Sequence, residues 1–343
     1  MKIGILGLPQ SGKRTLFTLL TGRSVPPSRR PGETVDGVAR VRDERVDVLT
    51  GICRPRKTTL AENHFALCPD VAGDGGGRDW LDAARRCDLL CLLVRAFASD
   101  QVYHPRGTID PEHDRATLDA ELKLADMELI LNRLIRISRE KTSGQSAAQA
   151  IEETTLRKCE QALEENRCLS EIDLSPEERT AIGSLGLVSL LPWLWTYNVS
   201  EAEVGRDFGP GTFTVSCQIE QQIAALEDDE ERREFLSAMG LTSTGLDRMN
   251  GAAYNTLGLM SFYTIGKDEV RAWTVRKGAT APEAGGKIHS DIRRGFIRVE
   301  ITKYGDLIDV GSERRAKDLG KVQLKGKDYV MEDGDICHFL FNV

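Results

Sequence analysis

The chain has 343 residues, 40% of them hydrophobic and 29% charged, a balance that excludes a mostly disordered protein. Its length allows two or three domains, with cores that need no disulfide or metal staple. The net charge of −7 excludes a protein that grips DNA or RNA with its whole surface. No apolar run approaches the roughly 20 residues of a membrane helix. The eight cysteines form no CxxC pair. They read as reduced core thiols of a cytoplasmic protein, with no membrane partner.

In chain order, the N-terminus reads straight into a strand, Lys2-Ile3-Gly4-Ile5-Leu6, with no signal-peptide pattern. Gly7-Leu8-Pro9-Gln10-Ser11-Gly12-Lys13-Arg14-Thr15 follows, and an apolar helix begins after it. Strand, loop and helix match the phosphate-loop pattern GxxxxGK[ST]. Gly7 and Gly12 let the backbone wrap a polyphosphate. Successive N–H groups and the helix N-terminus face the anion, and Lys13 adds a point charge. One position departs. The residue after the lysine should be a Ser or Thr that ligates Mg²⁺, and here it is Arg14, which repels a metal. Thr15 is next, turned by about 100° on the helix.

Phe65 to Pro69 reads as a second strand, with Asp70-Val71-Ala72-Gly73 at its tip. This DxxG is where an Asp near the metal belongs, and the run Asp74 to Gly77 after it is glycine-rich. From about residue 98 to 182 the chain is charged and helical. Leu124, Met127, Leu131 and Leu134 have the 3-4-3 spacing of a packed seam, and a second helix repeats it with Leu156, Cys159 and Leu163. Residues 142–146 read as the loop between them, which predicts an antiparallel helical hairpin inserted in one α/β domain. Ser175-Pro176-Glu177-Glu178 reads as a helix start. Leu187 to Tyr197 then reads as a buried strand leading to Asn198-Val199-Ser200-Glu201. GTPases carry NKxD at such a tip, where the Asp accepts from guanine. The NxxE here weakens guanine specificity and leaves Asn198 able to bond an adenine edge. Ser216, in Thr214-Val215-Ser216-Cys217, sits where a second base-contacting loop belongs. Beyond about residue 258, short β-rich stretches and glycine turns predict a small α+β domain.

These residues together resemble the YchF/Obg-like ATPases, a branch of the Obg-related P-loop translation-factor family. The resemblance spans nearly the whole chain. It includes Gly7-Leu8-Pro9 with Gly12-Lys13, Asp70 to Gly73, Val94 to Phe97, Glu121 to Asp126 and Asn198 to Glu201. It is densest at Glu269 to Thr274, Gly278 to Pro282, Ile288 to Asp291, Gly295 to Arg298, Gly326 to Tyr329 and Asp333 to Asp335. It implies an α/β fold: a P-loop domain over 1–97 and 183–257, a helical coiled-coil insertion over 98–182 and a β-grasp TGS domain over 258–343. It implies a cytoplasmic ATPase that prefers ATP to GTP and associates with ribosomes. On that resemblance Gln10, Ser11, Gly12, Lys13, Arg14, Thr15, Asp70, Gly73, Asn198, Val199, Glu201 and Ser216 would hold ATP. Thr34 and Asp70 would hold Mg²⁺. No catalytic residue is assigned.

Three departures fall on the metal and the two switches. The family loop reads Asn-Val-Gly-Lys-Ser-Thr, so the metal serine is lost at Arg14. The first-switch threonine falls on Thr34 only with a small gap, and otherwise on Pro31. The second switch, at Asp74 to Gly77, is several residues short. The reading is a divergent member that binds nucleotide and hydrolyses it slowly or not at all. The alternative is a non-hydrolysing interaction module; a true GTPase is disfavoured by the NxxE. Residues 287–327 hold eleven Lys and Arg against six Asp and Glu, while the remainder of the chain carries −12. That local excess suits contact with rRNA, alongside the helical arm.

Overall fold

The computed structural model describes residues 1–26, 32–71, 77–140 and 146–342. Gly73, the run 74–76, Pro31 and residues 142–145 of the arm loop, all singled out above, lie outside them. The described chain forms two units, one of residues 1–39 and 64–249, the other of 40–63 and 250–343.

The first unit is built on β1 (Lys2–Gly7), α1 (Lys13–Thr21), β2 (Val35–Val41), α2 (Glu44–Cys53), β3 (Lys57–Thr59), β4 (Ala61–Leu67), α3 (Asp79–Ala84) and β5 (Leu89–Ala96), with α2 and β3 excepted because they belong to the second unit. It continues through α4 (Pro111–Glu140), α5 (Ala147–Glu164), α6 (Pro176–Ile182), β6 (Trp193–Val199), β7 (Thr212–Val215), α7 (Cys217–Ala225), α8 (Asp229–Ala238) and the start of α9 (Gly245–Thr256). The sheet order is β2-β4-β1-β5-β6-β7. The pairs β4–β1, β1–β5, β5–β6 and β6–β7 are parallel. β5 is buried at all eight positions, as a central parallel strand with both faces covered must be. Loops at the carboxyl ends of β1, β5 and β6 therefore share one edge of the sheet, where open α/β sheets bind ligands.

Two sequence expectations need correction. The strand expected from Leu187 begins only at Trp193, and it runs on through Val199, so Asn198 and Val199 are strand residues. Residues 188–190 form a 3₁₀ turn instead. The cause is Asp126, fully buried on α4, whose carboxylate accepts from Val188 N at 2.9 Å, Ser189 N at 2.7 Å and the Ser189 hydroxyl. Burial pushes that carboxyl above the usual aspartate range, against the pull of its three donors.

The expected α4 seam is also displaced. Leu124 and Leu131 are exposed, and the buried stripe is Leu118, Leu122, Ala125, Ile130, Leu134 and Ile137. Its first half packs into the sheet core and its second half onto α5. One helix serving two partners does not keep a heptad register. The α5 residues Leu156, Cys159 and Leu163 are buried as expected. Arg133 grips Glu152 at 2.7 and 2.8 Å, and Lys123 donates to Asn166 O at 2.8 Å. Rising numbers on one side meet falling numbers on the other, so the pair is antiparallel. Ser175 and Glu178 close the capping box that starts α6. No helix among the described residues is long and apolar enough to cross a membrane.

The second unit holds β8 (Leu259–Thr264), β9 (Glu269–Arg276), α10 (Ala281–Ile288), α11 (Ser290–Arg294), β10 (Phe296–Lys303), α12 (Tyr304–Val310), α13 (Glu313–Asp318), β11 (Gln323–Lys325) and β12 (Asp335–Phe341). Its sheet order is β11-β10-β12-β8-β9-β3. The last strand returns to the centre parallel to β8, while β8–β9 and β10–β12 are antiparallel. Ala281 and Ala284 of α10 pack into the core with Phe262, Val299 and Phe339. This is a β-grasp arrangement. It takes an extra edge strand, β3, from residues the sequence places in the nucleotide domain.

The inserted segment is fastened by charge. Arg45 donates to both oxygens of Asp43 at 3.0 and 3.1 Å and to Asp333 at 2.6 Å, and the Tyr263 hydroxyl donates to Asp43. Burial alone would raise the Asp43 carboxyl, but the hydrogen bonds from Arg45 and Tyr263 hold it below its ordinary value. A depressed carboxyl contributes stability above its unfolded pKa and loses it as pH falls through the folded one. Thermal melts run below pH 4 should therefore lose part of their stability through Asp43. Asp43→Asn should be less stable at pH 7 by about 2 kcal/mol and show a shallower acid slope. An unchanged slope would contradict the assignment.

Candidate functional site

The loop after β1 is shaped by two glycines. A Cβ on Gly7 would lie 2.4 Å from Leu93 O, so the position admits no side chain. Gly12 has φ +95, and a Cβ there would meet Asn198 Nδ2 at 2.3 Å. Gln10 also takes a left-handed φ of 62, a cost a non-glycine residue pays only where the loop demands it. Gly12 caps α1 without a side-chain bond, and no acidic residue stands in the first turn. The N-cap of α1 therefore brings no side chain over the first turn, as suits an anion site.

Lys13 is 4% exposed. Its ammonium donates to Gly7 O at 2.9 Å and Pro69 O at 3.2 Å and pairs with Asp70 at 2.7 Å. The loop lysine and the DxxG aspartate are therefore together, as the sequence pattern implies. Arg14 and Thr15 are the next two helix positions; Arg14 is exposed, and Thr15 faces a cleft.

That cleft has a volume of about 600 Å³. Gln10, Gly12 and Thr15 line one side, the turn after β5 (Phe97 to Val102) another, and Asn198, Val199, Cys217, Gln218 and Gln221 a third. Asn198 is buried at 3% exposure and bridges two walls. Its amide donates to Ser11 O at 3.1 Å and its carbonyl accepts from Cys217 N at 3.1 Å. The expectation that it reads a base edge is thus changed, because one donor and one acceptor are already committed to holding the walls. Ser216 is buried and its hydroxyl caps α7 by accepting from Ile219 N at 3.4 Å, so Cys217, Gln218 and Gln221 face the cleft in its place. Glu201 is exposed on the short turn after β6 and does not line the cleft. Thr34 is half-buried just before β2 and does not line it either.

Sequence reasoning missed the turn after β5. Arg95, buried within a strand of apolar residues, donates to Phe97 O at 3.2 Å and Val102 O at 2.8 Å and lies 4.5 Å over the Phe97 ring. A lone arginine in such a strand is the signal that could have found it. His104 continues the same support. Its Nε2 meets Asp114 at 3.0 Å, its Nδ1 accepts from Arg106 N at 3.2 Å, and Arg106 also holds Asp114. Burial pushes the Cys217 and Cys91 thiols up to about 12, so neither is an activated nucleophile.

The cradle and cleft fit a nucleotide: a helix start whose N-cap brings no side chain, a lysine and a space of ligand size. They do not fit magnesium held in the usual way. Where a metal-binding hydroxyl belongs stands an exposed guanidinium.

A parallel sheet with this loop after its first strand, and this cleft at its carboxyl edge, defines a P-loop NTPase fold. Comparison with known proteins agrees. A family model for the YchF-GTPase C-terminal region, described as a protein of unknown function (DUF933), matches residues 259–342. The ribosome-binding ATPase YchF of Bacillus subtilis (strain 168) is 38% identical over 99% of this chain and 99% of its own. That of Escherichia coli O157:H7 is 37% identical over 100% and 99%. The solved structure of the Schizosaccharomyces pombe YchF GTPase matches with a TM-score of 0.85 at 29% identity, over 99% of this chain and 97% of that one. The chain belongs to the YchF family.

Within the loop, Ser11 is 2% exposed and its hydroxyl has no hydrogen-bond partner among the described residues. An orphaned buried hydroxyl costs about 1–3 kcal/mol. Ser11→Ala should therefore raise the midpoint of chemical unfolding, by about 1 kcal/mol in stability. A clear loss of stability would show that the hydroxyl is paired.

Proposed function

We propose that this chain is an ATP-binding YchF protein that turns ATP over slowly and acts as a cytoplasmic switch associated with the ribosome. The observation that carries the slow turnover is Arg14. Hydrolysis in P-loop proteins relies on a metal that bridges the phosphates, and the guanidinium removes one ligand and repels the ion. The ribosome as partner is taken from the printed names of the Bacillus and Escherichia relatives. The C-terminal β-grasp unit would serve as the TGS domain. Together with the helical arm it would meet rRNA phosphates, in keeping with its local excess of basic residues.

Preference for ATP over GTP is supported by the cleft walls. The carboxylate that pairs with guanine's two donors has no counterpart on β6, since Glu201 lies outside the cleft. Gln218 and Gln221 stand one turn apart on α7 and both line it. An amide offers a donor and an acceptor, which suits the adjacent N6 and ring nitrogen of adenine. A second reading, a non-hydrolysing adaptor, draws on the closed contact of Lys13 with Asp70 at 2.7 Å. In it the fold binds ribosome or protein partners constitutively.

The test is a turnover assay beside the Bacillus relative, with ribosome co-sedimentation in ATP and in ADP. The expected result is ATP hydrolysis at least about tenfold slower than the relative, with sedimentation that depends on the nucleotide. A rate equal to the relative's would sink the slow-turnover reading, and sedimentation indifferent to nucleotide would favour the adaptor. For base choice, Gln218→Glu with Gln221→Glu should move the ATP-to-GTP affinity ratio toward GTP by about threefold to tenfold, because carboxylates only accept. A ratio that stays put would remove these glutamines from base recognition.

A further inference from the structure

We propose that Arg14 takes the place of the divalent cation, so that the chain binds nucleoside triphosphate without a metal ion. This rests on the reading of the loop as a nucleotide site. The residue occupies the second position of α1, directly after the loop lysine, on the first turn of a helix whose N-cap, Gly12, brings no capping side chain. It is exposed, and among the described residues it enters no ion pair. The other local charges are matched to each other. The Lys13 ammonium meets Asp70 at 2.7 Å, and both are held by the strand ends that carry them. Among the described residues, Arg14 is the exposed cation on the first turn of α1 that enters no ion pair.

A triphosphate entering this loop needs cationic charge along its terminal phosphates. Elsewhere in P-loop proteins a metal ion supplies it, anchored by the hydroxyl that Arg14 replaces. A guanidinium is permanently charged and presents a planar fork of donors that matches two phosphate oxygens at once. A metal ion brought to the same oxygens would face that charge at close range, with its protein hydroxyl gone. Phosphate binding and metal exclusion thus follow from one side chain. No step of bond breaking is needed for this role.

The experiment is calorimetric titration of the full chain with ATP, in Mg²⁺ and in EDTA, for the native sequence, Arg14→Ser and Arg14→Ala. Mn²⁺ binding is followed in parallel by electron paramagnetic resonance. The native chain should bind ATP with affinities that differ by less than about threefold between the two buffers, and should take up no Mn²⁺ with the nucleotide. Arg14→Ser should lose about tenfold in EDTA, regain it in Mg²⁺ and bind Mn²⁺ together with ATP. Arg14→Ala should be weak in EDTA and regain less in Mg²⁺ than Arg14→Ser does. Native binding that tightens tenfold in Mg²⁺, or Arg14→Ser binding that ignores the metal, overturns the inference and leaves the nucleotide reading standing. Absence of ATP binding in both buffers, in a chain whose circular dichroism shows it folded, overturns the nucleotide reading and the inference with it.

Discussion

The side-chain amide of Asn198 is the tie on which the cleft depends. It reaches across the carboxyl edge of the sheet from β6, donates to Ser11 O and accepts from Cys217 N. In doing so it passes so close to Gly12 that no other residue could stand there. Three segments far apart in sequence, the phosphate loop, the end of β6 and the start of α7, are held at fixed spacing by two hydrogen bonds of a buried group. An amide suits that work because it supplies both a donor and an acceptor, and burial removes the competition from water. Side chains that touch a ligand must then come from around this tie. Gln218 and Gln221 of α7 line the cleft beside Asn198 and Val199, while Glu201 of the NxxE does not.

Much of this was legible in the sequence where the signal was local. The phosphate loop, Asp70 beside its lysine, the capping box at Ser175 and the strands of the C-terminal unit are read from local patterns. The failures are non-local. Leu187 to Leu191 has the composition of a strand, yet Asp126, some sixty residues earlier, claims the backbone donors of Val188 and Ser189 and turns the chain. The α4 stripe read as Leu124 and Leu131 because those residues keep a heptad, but the helix changes partners along its length. Asn198 was visible as a motif residue, and only the fold shows that its amide faces the protein.

Arg14 and Ser11 share a physical character. Each sets a polar or charged group in the loop or the first helical turn after it, and among the described residues the Ser11 hydroxyl has no hydrogen-bond partner and Arg14 enters no ion pair. Sequences keep local choices consistent with the fold except where function pulls against stability. The loop gathers such features: a left-handed Gln10 and, among the described residues, a hydroxyl without a hydrogen-bond partner and a guanidinium without an ion pair lie within five residues.

The strand β3 has a different kind of consequence. The matched family segment begins at residue 259, as though the C-terminal module were a contiguous piece. Yet β9 pairs with Lys57–Thr59, and Tyr263 and Asp333 find their partners on Asp43 and Arg45. A fragment starting at 259 would carry a bare sheet edge and a buried tyrosine without its acceptor. Bare edges recruit other strands. The module therefore cannot be cut out and moved to another protein unchanged, and its boundary in space is not its boundary in sequence. Any transfer of the C-terminal unit would have to carry the 40–63 segment with it.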